Sequence, residues 1–139
     1  MLASLRVGQR IPPAYLSRLD SDGVVQPIHS ELLFSGGRLI VVGAPGAFTP
    51  VCAREHLPSF LANAPALRAA GRALEFVSDG NLDFARACGL AALENDLFLG
   101  ERSRRYVLEL ENAVVQRMRV EQDLLSVTCT RAQDILELD

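Results

Sequence analysis

The sequence predicts an α/β fold in which a central mixed β-sheet is flanked by helices and preceded by a β-hairpin. Three observations carry this. Arg38 to Val42 is a short apolar run rich in β-branched residues, bounded by Gly36-Gly37 and by Gly43 to Pro45, which marks a buried strand. Leu57, Phe60, Leu61, Ala64 and Leu67 recur at spacings of three and four, the stripe of a helix packed on a sheet. The runs Arg104 to Leu110 and Ala113 to Val120 flank a turn at Glu111-Asn112 and form a hairpin.

Taken in order, residues from about Arg10 to Ile28 read as two short strands around the Asp22-Gly23 turn, followed by a loop or short helix through Leu33. After the strand at Arg38 to Val42 the chain turns, and Thr49-Pro50 signals a helix start. A Thr side chain caps free N–H groups, and Pro suits the first helical position. Pro58 and Pro65 kink or divide that helix. A strand near Ala73 to Val77 follows. Asp79-Gly80-Asn81 then forms a turn and cap for a helix from Leu82 to Cys88, ended by Gly89. The hairpin comes next, and a last helix carries Ala132, Ile135 and Leu136 on one face. After the N-terminal hairpin the order β, α, β, α, β, β, α is that of a thioredoxin-like fold.

The chain of 139 residues, 49% hydrophobic, suits one domain over residues 1–139 with a core that needs no staples. A formal net charge of -3 gives no electrostatic reason to expect nucleic acid or an anionic membrane as partner. MLASLRVGQRIPP lacks the apolar core of a signal peptide, and no run approaches the length of a membrane span, so a cytoplasmic location is expected. Three cysteines, an odd number, argue against a structural disulfide framework and suit catalytic thiols in a reducing compartment.

Cys52 is the residue to which the chemistry points. It falls at about the third position of the helix opened by Thr49-Pro50, where unpaired N–H groups and the positive end of the helix dipole lower a cysteine pKa from about 8.5 toward roughly 3.5 to 7.5. Cys129 lies at the expected start of the final helix, where the dipole again favours a thiolate. Cys88 sits at the C-terminal end of its helix and reads as the least acidic of the three, part of the core. Cys52 and His56 are spaced i, i+4, yet two ligands are too few for a zinc site. His56 is expected to hydrogen-bond within the helix and neighbouring turn, with tuning of the thiolate as the other reading; His29 reads as an ordinary loop residue. No Cys-x-x-Cys and no phosphate-binding glycine string occurs.

Pro45, Thr49 and Cys52 fit Pro-x-x-x-Thr-x-x-Cys, and the string PGAFTPVCAREHLP resembles the active-site signature of peroxiredoxins, most closely the type II, thioredoxin-fold subfamily. The resemblance implies a thiol peroxidase for hydrogen peroxide or small alkyl hydroperoxides that uses no metal, haem or flavin. It makes Cys52 the peroxidatic cysteine, Thr49 the residue that orients thiolate and peroxide, and Pro45 a shield for the sulfenic acid. In GERSRRY it gives Arg105 the task of stabilising the thiolate and the polarised O–O bond, with Arg104 as the neighbouring alternative. VTCTRAQDIL is similar to the region of the resolving cysteine in atypical two-cysteine members. Cys129 would then form an internal disulfide, reduced by thioredoxin, glutaredoxin or glutathione; Cys88 or an external thiol is the other candidate for that step. A homodimer is implied as well. Relatives of this type usually carry an additional strand and helix for which there is no room between Gly71 and Val77. The second function class is therefore a thioredoxin-fold binding or redox-sensing protein that has lost efficient turnover.

Overall fold

The structure is a computed structural model that describes residues 4–46, 52–71, 77–94, 98–124 and 126–136. An antiparallel hairpin opens it, β1 (Tyr15–Leu19) against β2 (Val25–His29), with the Asp20 carboxylate accepting the N–H groups of Asp22 and Val24 in the turn. A single helical turn, α1 (Ser30–Leu33), leads to β3 (Arg38–Gly43). His29, expected as a loop residue, instead ends β2 and caps α1 by accepting the Glu31 N–H at Nδ1.

A five-residue π-helical turn, Cys52–His56, runs into α2 (Leu57–Ala62), and α3 (Ala64–Ala69) follows after Asn63. The division falls where the prolines predict it, with Pro58 and Pro65 each in the first turn of its own helix. Pro58 also has no N–H to give the Arg54 carbonyl, and the wider π register lies just there. The expected helix start at Thr49-Pro50 lies outside the described residues, as does all but Val77 of the expected strand at Ala73 to Val77. Ser78 forms an isolated antiparallel bridge to Ser17 that ties the first hairpin to the rest of the chain.

Helix α4 (Asp83–Ala87) is capped from a distance, since the Asp79 carboxylate accepts the N–H groups of Phe84 and Ala85. Two strands that the sequence pattern does not announce come next, β4 (Ala91–Glu94) and β5 (Gly100–Ser103). Four-residue strands are too short to show a period. The run Arg102, Arg104, Arg105 at the end of the second reads as a solvated loop, whereas Glu101 of β5 is held by Arg86, which donates to it through Nε and Nη2 at 3.0 and 2.7 Å.

β6 (Tyr106–Glu111) lies between β3 and β7 (Val114–Val120), antiparallel to both. The pairs found among the described residues are antiparallel throughout. The β6–β7 turn falls one residue later than expected, at Asn112-Ala113, both at positive φ, as a two-residue type I′ hairpin turn requires. The Asn112 N–H to Gly37 O and Gly37 N–H to Asn112 Oδ1 bonds hold it. The last element is α5 (Ala132–Leu136), with Ala132 and Ile135 buried as predicted.

β6 alternates between two cores. Tyr106, Leu108 and Leu110 face a cluster with Leu16, Ile28, Phe34, Phe84 and Cys88, whereas Val107 faces Ile40, Phe60, Leu67, Ala132 and Ile135. The sheet is thus covered on both sides, and the Cys52–His56 turn reaches it on the α2/α5 side. At the end of β3, Gly43 pairs with Tyr106, and a Cβ there would run into the phenol ring. Gly43→Ala is expected to cost about 1–3 kcal/mol through this clash. Urea denaturation reads it as a lowered midpoint at unchanged slope.

Candidate active site

Two strand ends and one helical turn build the site. β3 delivers the chain to Pro45, and the Cys52–His56 turn carries Cys52 and His56, both 0% exposed. Arg105 stands in the two-residue link between β5 and β6, 1% exposed. The link turns one arginine each way. Arg104 is half-buried and its N–H donates to the Leu90 carbonyl, while Arg105 points under the sheet end. Arg105, and not Arg104, therefore reaches the cysteine.

The guanidinium makes three bonds. Arg105 Nη1 donates to Cys52 Sγ at 3.2 Å and to His56 Nδ1 at 3.0 Å, and Nη2 donates to the Leu124 carbonyl at 3.0 Å. Its buried Nε has no hydrogen-bond partner among the described residues. An unmet buried N–H costs about 1–3 kcal/mol, so the fork keeps one donor for an acceptor that these residues do not supply.

The His56 ring, expected from the sequence to bond within the helix and neighbouring turn, bonds across the fold. Its Nε2 bonds the Thr130 carbonyl at 3.0 Å. Burial, then the Arg105 charge, push its pKa down to about 4. It is therefore neutral at physiological pH, and its two partners fix the tautomer: Nε2–H donates to Thr130 O and the Nδ1 lone pair accepts from Arg105.

The remaining predicted site residues are placed unevenly. Thr49 lies outside the described residues. Pro45 lines a cavity of about 670 Å³ that extends along β3, with Val42, Phe60, Leu61, Val77 and Arg102 among its walls; Cys52 and Arg105 are not among them. Cys88 is core, as expected. It caps the C-terminus of α4, and burial, then the Asp79 charge, raise its pKa to about 12.

Cys129 corrects the sequence reading. It lies three residues before α5, half-buried, and its pKa is raised, first by burial and then by the Glu121 carboxylate. A short helix that begins at Ala132 is too distant to favour its thiolate, and of its charged neighbours Glu121 outweighs Arg119. Glu121 escaped the sequence reading altogether. An acid that follows a strand carries no periodic signal, and the Thr-Cys-Thr segment it binds lies seven to nine residues further on.

Comparison with known proteins agrees with this geometry. The Redoxin family model matches residues 6–73. Over 166 aligned positions the chain is 31% identical to peroxiredoxin-2E-2, chloroplastic, of Oryza sativa subsp. japonica, covering 99% of this chain and 73% of that protein. It is 29% identical over 161 positions to peroxiredoxin-2D of Arabidopsis thaliana, covering 98% and 99%. That alignment is longer than the 139-residue chain, so the relative has residues without a counterpart here. Among solved structures, reduced Prx3 of Vibrio vulnificus in complex with H2O2 superposes with a TM-score of 0.89 at 29% identity, covering 96% of this chain and 98% of that one. The match to the relatives extends over nearly the whole chain, and the fold is the thioredoxin-like fold of the structural neighbours: the chain belongs to the peroxiredoxin family, in its type II branch.

Proposed function

We propose that this peroxiredoxin performs its thiol-dependent peroxidase reaction at Cys52, with Arg105 as the electrostatic partner, and that Thr49 orients thiolate and peroxide and Pro45 shields the sulfenic acid, the roles the family likeness implies. The observation that carries the assignment is the 3.2 Å bond from a buried guanidinium to the Cys52 sulfur. The thiolate attacks one peroxide oxygen and the O–O bond breaks. Sulfur is oxidised by two electrons to the sulfenic acid, and the departing oxygen takes a proton to leave as water or alcohol. Negative charge that begins on sulfur spreads onto both oxygens, and a pre-positioned fork stabilises it without reorganising. Arg105 Nε, unmet among the described residues, is a donor for an incoming oxygen.

Cys129 is the candidate to resolve the intermediate. Its thiolate attacks the sulfenic sulfur, the S–O bond breaks and the departing hydroxide takes a proton to leave as water, giving a Cys52–Cys129 disulfide that a thioredoxin- or glutaredoxin-type dithiol, or glutathione, reduces. Burial of Cys88 in the other core, with its thiol pKa raised, supports Cys129 over it in this role. A binding protein without turnover is not favoured, because it has no use for a buried cation aimed at a buried thiol. The reading takes residues 1–139 as one domain. Three free thiols suit the cytoplasm, although one relative is named chloroplastic, and localisation of a tagged chain decides. No helix among the described residues is long and apolar enough to cross a membrane. Homodimer formation is supported by the family likeness and by Phe98, 95% exposed on the β4–β5 hairpin that also exposes Leu93. Sedimentation velocity that finds only monomer at micromolar concentration removes it.

Cys52→Ser is expected to abolish peroxide consumption. In Cys129→Ser the first turnover proceeds and intact mass shows a persistent sulfenic acid. Peroxide reduction by Cys52→Ser at the wild-type rate overturns the assignment.

A further inference from the structure

Glu121 is a buried charge that the reaction at Cys52 does not use. It directly follows β7 and is 3% exposed. Its Oε1 accepts the N–H groups of Thr128 and Cys129, at 2.6 and 2.8 Å, and the Thr130 hydroxyl at 2.9 Å; its Oε2 accepts the Thr128 hydroxyl at 2.7 Å. All four donors come from one three-residue segment centred on Cys129. Burial alone would raise the Glu121 pKa, but the bonds from Cys129 and Thr128 outweigh it and hold the group at about 2, ionised at every working pH.

The same segment is fastened a second time at Thr130, whose carbonyl accepts from His56. Glu121 is itself anchored, because its main-chain N–H donates to the Arg105 carbonyl at 2.9 Å. The backbone around Cys129 is thus held at both ends against the residues that face Cys52. Cys52 is fully buried, and a disulfide requires the two Cα atoms within about 7 Å with the side chains directed at each other. Four charge-assisted bonds fix the direction of the Cys129 segment before any such approach.

We propose that Glu121 is a positioning residue for the second half of the cycle: its carboxylate clamps the Thr128–Thr130 segment and slows the approach of Cys129 to the oxidised Cys52. The inference rests on the assignment of Cys129 as the resolving cysteine. The clamp acts twice in the same direction, since it restrains the backbone and sets a negative charge beside a thiol that must ionise to attack. Arg119, whose Nη1 donates to the Cys129 carbonyl at 3.1 Å, is the charged neighbour that opposes it. The consequence is a long-lived sulfenic acid, open to an outside thiol or to a second peroxide.

Glu121→Gln keeps the shape and the acceptor oxygen while removing the charge, and Thr128→Val removes a single bond to Oε2. Quenched-flow mass analysis at one equivalent of hydrogen peroxide separates oxidation of Cys52 from closure of the disulfide. Glu121→Gln is expected to close the disulfide about tenfold faster at pH 7, with its rise against pH displaced to lower pH, while Cys52 oxidation stays within about twofold. Thr128→Val moves closure in the same direction by less. Unchanged or slower closure in both variants overturns the clamp. Absence of any Cys52–Cys129 bond in the wild type, with a sulfenic acid as long-lived as in Cys129→Ser, overturns the resolving assignment itself and the clamp with it.

Discussion

Arg105→Lys is expected to lower the rate constant for oxidation of Cys52 by peroxide by about 10²–10³-fold, the effect of removing a donor aimed at developing negative charge. The reason is geometric. One planar fork serves Cys52, His56 and the Leu124 carbonyl at once. A lysine ammonium is a single point of charge on a flexible stem and cannot reach all of these from the β5–β6 link. Two of the three acceptors then lose a partner in a buried place, which costs about 1–3 kcal/mol each and lowers the melting temperature. Stopped-flow oxidation of the variant reads the kinetic part. Alkylation of Cys52 by iodoacetamide, in which no peroxide oxygen leaves, serves as the control and is expected to fall by less than about tenfold. A peroxide rate constant within about threefold of wild type would remove Arg105 from the chemistry.

The second large effect is on stability at acid pH. In the unfolded chain His56 takes up a proton near its ordinary value of 6.5, whereas in the fold it stays neutral until about pH 4. Between those values the unfolded state binds more protons, so stability falls as pH is lowered from 6.5 to 4 and is unaffected by this group above that window. A buried ring shifted this far accounts for about 3 kcal/mol. Glu121 adds a loss of the same sign in a lower window. Its folded pKa of about 2 lies below the ordinary 4.5, so its contribution is complete above pH 4.5 and disappears as pH approaches 2. Urea denaturation at pH 7, 5.5 and 4 measures the first window. His56→Gln, whose amide can donate to Thr130 O and accept from Arg105 without titrating, is expected to flatten the curve there and leave the lower one intact. A wild-type stability that does not change between pH 6.5 and 4 would contradict the neutral buried His56.

Most of the architecture was legible because each element carries its own local signal. Gly36-Gly37 and Gly43 bracket β3, the two prolines divide the helices, Asp79 announces α4, and alternation on β6 and β7 marks the hairpin. β4 and β5 were not legible, since four residues are too few for a period and the arginines that close and follow β5 read as a loop. The Asn112-Ala113 turn was misplaced by one residue because nothing in alanine advertises a positive φ. At the site, the cysteine and its arginine could be read from the motif and its likeness to a family, and the choice of Arg105 over Arg104 agrees with the contact to Cys52. His56 and Glu121 acquire their roles from partners 74 and seven to nine residues away, and a sequence gives no sign of which carbonyl or amide a fold will bring to them. Cys129 was misjudged for the same reason. The local sequence suggested a helix start, whereas its environment is set by an acid at the end of β7.

The hydrogen bonds that join Cys52, Arg105, His56 and Thr130 span separations of 53, 49 and 74 residues along the chain. Contacts of that range are late events, because loop closure has to be offset before they form. During synthesis the thiol emerges long before the arginine that serves it, and before the segment that completes its histidine. A nascent or partly folded chain therefore carries an ordinary cysteine, and reactivity toward peroxide arrives together with the last elements of the fold. The enzyme's own nucleophile is thereby kept quiet during the interval in which the chain has least protection against misdirected oxidation.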